Sequence, residues 1–186
     1  MGQFLALGLT RKIFTPLENL RKNNVTTKDL QQEIQRTLYL DMNLYDEEEA
    51  DAYLVFTLKD HVLETGLIPF LEAIYPLVCK DPEERGYPAL LKQLHATSPA
   101  EWMDAARAKR NYAFQMDEYA EPRFIRIPKG YYQDIQLRFH CVILHHGYGK
   151  IITEGIYDFT NFFNHCIHET FKDHPLAKSV QVYITG

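Results

Sequence analysis

Cysteine, serine and long apolar runs are scarce in this sequence, and each shortage argues against a class of protein. Three cysteines (Cys79, Cys141 and Cys166) are too few, and odd in number, for a disulfide framework. Ser98 and Ser179 are the only serines, and neither has the sharp-turn setting of a hydrolase nucleophile. No apolar run approaches the roughly 18 residues of a membrane-spanning helix. We therefore expect a cytoplasmic protein that does not enter a membrane.

Loops that hold phosphate or calcium are missing as well. The stretch HGYGK at 146–150 lacks the spacing and the following Ser or Thr of a P-loop. Asp41 and Asn43 begin like a calcium loop, but Ala52 stands where such a loop needs its bidentate acid. We therefore expect no cofactor.

The composition is typical of one ordinary globular domain. The chain has 186 residues, of which 46% are hydrophobic and 13% aromatic. This length fits a single domain over 1–186 with enough buried surface to fold without a disulfide or a metal. The formal net charge of −5 argues against a general affinity for nucleic acid or anionic membranes.

Hydrophobic alternation predicts strands early in the chain. Residues 3–10 are almost continuously apolar, as in a buried strand, and 52–58 have the composition of another strand. Apolar and polar residues alternate over 38–44, which predicts the second arm of a hairpin. The acidic stretch 46–51 is then expected to be the break between the two arms.

Helical spacing predicts the next elements. A threonine at the end of the preceding turn can cap a helix over 28–36. Leucines at helical intervals predict a longer helix over 60–78, which Gly66 and Pro69 are expected to break or bend.

The stretch TSPAEW carries the sharpest local signal. Ser98 can cap a helix, Pro99 suits its first position, and Glu101 completes a capping box. With a further short helix over 88–96, residues 79–111 could form a helical insertion between two strand-rich halves.

The last third alternates like a sheet and then turns helical. A helix is predicted over 157–173, and strands are predicted over 112–118, 123–127, 134–146 and 179–185. The sequence therefore predicts an α+β domain with an antiparallel or mixed sheet and helices packed on one face.

Six of the eight histidines fall between 140 and 174, which raises the hypothesis of a metal or acid–base site. In a helix over 157–173, Cys166 lies on the apolar stripe while His165 and His168 lie on the opposite side. A regular helix therefore cannot bring all three to one ion.

Two hypotheses for a histidine site remain. A metal would need His145 at the hairpin tip together with His165 and His168. A hydrolase would use His145 and His146 with His168 and Glu169 as its acid–base groups. The alternative is that these side chains are a solvated helix face and a polar turn, which is the commoner arrangement.

Charge is segregated along the chain. Residues 41–60 hold seven acids and one lysine, whereas 102–150 hold eight basic residues and five acids. If 123–127 is a strand, Ile125 and Ile127 face inward and Arg126 faces outward. The residues expected to bind a partner are Asp46, Glu47, Glu48, Glu49, Arg126, Lys129, Tyr131 and Tyr132.

Segregated charge orients association between proteins, and exposed tyrosines can anchor it. We therefore expect a non-catalytic domain that binds another protein or a second copy of itself. The first alternative is the histidine hydrolase. The second is a weak single-stranded nucleic-acid binder at Arg126 and Lys129, where basic and aromatic residues are interleaved.

Overall fold

The structure is a computed structural model, and it describes residues 4–78, 92, 95–98, 101, 115–129, 131–147 and 167–185. Within this part, six strands form one antiparallel sheet. The strands are β1 (Phe4–Pro16), β2 (Tyr45–Ala50), β3 (Tyr53–Leu58), β4 (Gln115–Lys129), β5 (Tyr131–Gly147) and β6 (Val180–Thr185). The longer helices are α1 (Leu17–Lys22), α2 (Thr27–Leu38) and α3 (Asp60–Val78). The mixed α+β class with an antiparallel sheet is confirmed.

Strand β1 is the centre of the sheet. One of its edges pairs with β5. The other edge is shared, with β6 beside Phe4–Leu9 and β3 beside Lys12–Pro16. The path from edge to edge runs β2-β3-β1-β5-β4. Among the described strands, β2 and β4 therefore lie at opposite ends of this path.

Helix α2 begins as predicted but runs further. Thr26 and Asp29 form a reciprocal capping box, and the helix continues to Leu38 before Tyr39 adopts a left-handed conformation with φ 59°. The strand predicted over 38–44 is wrong. A 3-10 turn at Met42–Leu44 follows instead. Leu38 is buried at the end of α2, and Met42 is buried in this turn.

The acidic segment is a strand rather than the break in the hairpin. Tyr45–Ala50 pairs with Tyr53–Leu58, and the turn lies at Asp51, whose φ is 55°. The predicted strand at 52–58 is confirmed, with a different partner segment from the one expected. Backbone pairing with β3 outweighs the turn-like composition of four consecutive acids.

Helix α3 is continuous through Gly66 and Pro69, so the expected break is wrong. Gly66 lets the helix approach the chain before β6, because a Cβ at this position would lie 3.3 Å from Leu176. The capping box at Ser98 is confirmed, since Glu101 accepts a hydrogen bond from the Ser98 backbone at 2.7 Å. The insertion at 79–111 lies almost wholly outside the described residues and stays a prediction.

Strands β4 and β5 form one long hairpin. Residues 115–118 and 123–127 of the two predicted strands belong to the single strand β4, which is bulged on both sides of Ala120. Residues 112–114 of the first predicted strand lie outside the described residues. On the inward-facing side of β4, the Arg123 guanidinium donates to the carbonyl oxygen of Val182 in β6 at 3.1 Å. Arg123 therefore lies within the strand.

The sheet has two chemically different faces. The core face carries mainly buried apolar side chains, including Ile13, Leu54, Phe56, Leu58, Ile125, Ile127, Ile135, Leu137 and Phe139. These pack in one cluster with side chains from α2 and α3. The placement of every helix on this face stays a prediction. The opposite side is buried at Leu9 and Val142. Its other part, here called the open face, carries Lys12, Phe14, Asp46, Glu48, Val55, Thr57, Phe124, Arg138 and His140.

Candidate functional site

The structure places the candidate histidines on separate elements. His145 and His146 lie near the end of β5, opposite Leu7 and Ala6 of β1. His168 lies in a helical turn at 167–170, with its ring centroid 5.7 Å from that of Tyr39.

The remaining members of the histidine hypothesis are described only in part by the structure. Glu169 is exposed, and His165 and Cys166 lie outside the described residues. In the described part of the chain, no three His, Cys, Asp or Glu residues are grouped so as to hold a metal ion. Convergence of His145, His146 and His168 stays a prediction.

A buried polar cluster surrounds Cys141 on the core face. Gly8 lies beside it, and any Cβ there would overlap the ring of Tyr183, so glycine is what admits this ring. The Tyr183 hydroxyl donates to Asp117 Oδ2 at 3.0 Å. Across the same face, Gln181 Nε2 donates to Thr10 Oγ1 at 2.7 Å. The cluster thus ties β6 to both β1 and β4.

The electrostatics of this cluster keep its acidic protons in place. Burial, reinforced by the negative charge of Asp117, raises the pKa of the Cys141 thiol to about 12. Burial is also the main reason why the pKa of Tyr183 lies well above its usual range. A thiol needs to ionise before it can act as a nucleophile. At neutral pH the Cys141 thiol is therefore protonated and is not a nucleophile, and its side chain is fully buried on the core face.

Strand β2 offers an acidic edge. Asp46, Glu47, Glu48 and Glu49 are all exposed, and among the described strands only β3 pairs with β2. Glu47 accepts a hydrogen bond from Gln31 of α2 at 2.9 Å on the core side. The side chains of Asp46 and Glu48 point to the open face and have no ion pair or hydrogen bond within the described part of the chain.

The backbone of β2 also faces outward at alternate residues. The Lys59 amide donates to the Leu44 carbonyl at 2.9 Å, so these two facing residues are joined by a backbone hydrogen bond at that end of the hairpin. In an antiparallel ladder such pairs alternate, so Glu47 and Glu49 direct their backbone groups to the outer edge. The edge therefore combines negative charge with peptide groups that do not pair with β3.

Two rows of side chains cross the open face at right angles to the strands. The first row runs Asp46, Thr57, Lys12, His140 from β2 to β5. The second runs Glu48, Val55, Phe14, Arg138 along the same path. Each row begins with an acid and ends with a basic side chain, roughly 14 Å apart for three strand spacings.

The middle of these rows is less polar than the ends. Phe14 is half-buried and stacks at a tilt against His140, with ring centroids 4.4 Å apart. Val55 is 4% exposed, so it supplies little further apolar surface. Phe124, at the β4 end of the face, is 66% exposed. The open face thus offers aromatic contact between charges of opposite sign.

The basic patch predicted at the β4–β5 hairpin is partly neutralised. Arg126 is exposed as expected, but its Nε lies 3.0 Å from Asp134 Oδ1 on the facing strand. Lys129 and Tyr131 form the last cross-strand pair, with Pro128 opposite Tyr132. The acidic and basic residues predicted to bind a partner therefore lie at opposite ends of the sheet path.

The positive part of the open face was missed by sequence reasoning. Lys12 lies in a stretch that alternation does not resolve, because a bulge at Arg11 changes the side on which the following residues point. Arg138 stands in a correctly predicted strand, and its outward direction follows from the alternation with Leu137 and Phe139. Its alignment with Glu48 requires the register of four strands.

No described helix is both long and apolar enough to cross a membrane. Neither a family model, nor a curated protein, nor a solved structure matches this chain.

Proposed function

We propose that the protein is an intracellular protein-binding domain whose docking surface is the open face, including the side of the acidic edge strand β2 that carries Asp46 and Glu48. The observation that carries this proposal is the pair of rows in which Asp46 and Glu48 stand opposite His140 and Arg138. Ordered charge of both signs on one surface fixes the orientation of a docked protein.

The chemistry of the surface supports recognition. Glu48 and Arg138 are exposed and make no ion pair or hydrogen bond within the described residues, so a partner can satisfy their charges. Phe14 offers an aromatic contact between them, as interface centres often do. Exposed carboxylates and guanidinium groups also steer the encounter at low salt.

The buried cluster supports a structural rather than a catalytic role for its groups. Its most reactive side chain, Cys141, is a fully buried thiol with a pKa of about 12. A free thiol of this kind fits the cytoplasmic location predicted from the odd number of cysteines. The cytoplasmic location, and the contribution of Lys129, Tyr131 and Tyr132 to binding, are parts of this proposal.

A capture experiment with paired variants tests the proposal. Asp46→Lys with Glu48→Lys reverses the charge of β2 on the open face. Glu47→Lys with Glu49→Lys makes the same change in net charge on the other side of the same strand. We expect a protein retained from cell extract by the wild type and the control to be lost by the open-face variant.

Identical retention by all three proteins would contradict the proposal. Binding of a single-stranded oligothymidylate at low salt, lost with Arg126→Glu and Lys129→Glu, would instead favour the nucleic-acid alternative, because bases stack on exposed aromatic rings such as Phe124.

A further inference from the structure

We propose that the partner of the open face is a second copy of this chain, related by a twofold axis that runs parallel to the strands between β3 and β1. This inference rests on the proposed function and names the partner of the same surface. It follows from the order of charges in the two rows rather than from the number of charged residues.

The rotation has a defined effect on the rows. The axis lies parallel to the strands, midway between the two facing sheets. Rotation about it preserves strand direction and places each row opposite the same row of the second copy. It exchanges the positions of β2 and β5, and those of β3 and β1. Sheets that pack face to face in this aligned way lie about 10 Å apart.

The exchange brings opposite charges together twice. Glu48 of each copy faces Arg138 of the other, and Asp46 of each copy faces His140 of the other with Lys12 next to it. At the centre Phe14 meets Val55 of the second copy. A twofold interface of this kind is isologous, because the same patch serves both subunits.

The same order of charges disfavours a partner of uniform charge. A basic protein would satisfy Asp46 and Glu48 but would be repelled by Lys12 and Arg138. An acidic partner, including a nucleic acid, would pair with Lys12 and Arg138 but would be repelled by Asp46 and Glu48. The complementary surface must carry the charges in reversed order across the same distance, and the rotated copy of this face does so.

The composition of the interface predicts its strength. The Val55 side chain is only 4% exposed in the single chain, so dimerisation buries little additional surface on it. Charge then contributes much of the specificity, and interfaces of this kind are transient and sensitive to salt. We expect a dimer that dissociates on dilution and as the ionic strength rises.

Charge-swap variants test the geometry by sedimentation equilibrium and native mass spectrometry. Glu48→Arg and Arg138→Glu should each raise the dimer dissociation constant by roughly tenfold or more, since like charges then face each other twice. The double variant should recover the dimer. Equal mixing of the two single variants should yield mainly heterodimers, in which both charged contacts are restored.

The matched control is Glu49→Arg, which makes the same charge change at the adjacent residue on the opposite side of β2. It should dimerise like the wild type. Since the changed residues are exposed, each variant should keep the wild-type circular dichroism spectrum and unfolding midpoint.

Three results would overturn the inference. One is a wild-type chain that stays monomeric at every concentration and low salt; the capture experiment on the open face could still succeed, which would leave the proposed function standing with another partner. Another is a dimer that persists in both single variants, which would place the contact elsewhere. Failure of the mixed variants to form heterodimers would also contradict the twofold geometry.

Discussion

Both faces of the sheet contain polar groups, but the polar groups of the two faces differ in where their partners come from. On the core face, the Tyr183 hydroxyl donates to Asp117 and Gln181 Nε2 donates to Thr10, so the chain supplies partners for these two donors. On the open face, Glu48 stands in line with Arg138 but three strand spacings away, too far for contact. Buried polar groups need partners within the fold, whereas exposed charges do not and can pair with a second molecule.

This difference predicts that stability depends on one face and association on the other. Substitutions on the core face should change the free energy of unfolding. Substitutions on the open face should change binding and leave unfolding nearly unchanged. The following variants test this division, beginning with the largest expected change.

The sharpest contrast lies between two neighbours in β3. Phe56 is 1% exposed on the core face, and Phe56→Ala should lower the free energy of unfolding by about 3–5 kcal/mol through lost burial and a cavity. Thr57→Ala on the open face should change it by no more than about 0.5 kcal/mol. Urea unfolding of both variants measures the difference. Similar losses at the two positions would remove the distinction between the faces.

The bulge at Arg11 determines which residues reach the open face. Its guanidinium donates to the Leu58 carbonyl and lies 2.6 Å from Asp60 Oδ1. Arg11→Ala removes both contacts, and the carbonyl loses a charged donor at a part-buried position, so we expect a loss of about 1.5–3 kcal/mol in urea unfolding. Arg21→Ala, at an exposed arginine whose nearest carboxylate is 4.0 Å away, is the control and should cost less than about 0.5 kcal/mol. Equal losses would show that Arg11 does not support the bulge.

Alkaline pH should destabilise the core face through Cys141. The folded state raises the pKa of this thiol from 9.0 to about 12, so its stabilising contribution is complete below pH 9 and is lost as pH rises towards 12. In that window the free energy of unfolding should fall by up to about 1.4 kcal/mol per pH unit for this one group.

Cys141→Ser tests that linkage because serine does not ionise in this range. Its unfolding free energy should show a shallower decline than the wild type between about pH 9 and about pH 10. Tyrosines also begin to ionise in the unfolded chain in this range, but they are the same in both proteins and cancel in the comparison. Only the slopes are compared, since the substitution itself changes stability. Parallel slopes in urea unfolding would contradict a raised thiol pKa.

Much of the sheet could be predicted from alternation where only one side of a strand is buried. The strand over 134–146 and the inward direction of Ile125 and Ile127 follow from this rule, and the structure confirms them. Capping chemistry likewise predicted a threonine cap at Thr26 or Thr27, of which the structure uses Thr26, and the box at Ser98. These signals are local, so single residues and their spacing suffice.

The predictions were wrong where residues far away in the sequence determine the local structure. Four consecutive acids favour a turn by composition, yet Glu47 and Glu49 lie in a strand because β3 pairs with the segment and Gln31 meets Glu47 from α2. The rows of the open face depend on the register of four strands and on the bulge at Arg11. The sequence could therefore suggest an acidic patch but not its alignment with Arg138.

The smallest predicted effect concerns the ion pair between Arg126 and Asp134, which tests whether an internal contact on the exposed side of the hairpin contributes to stability. The two groups are 3.0 Å apart and both are largely exposed, so water and salt screen their attraction. A double-mutant cycle with Arg126→Ala and Asp134→Ala should give a coupling of about 0.2–1 kcal/mol that falls as salt is added. A coupling well above this range, insensitive to salt, would mean that the pair is shielded, and the division between a stabilising core face and an associating open face would fail at this hairpin.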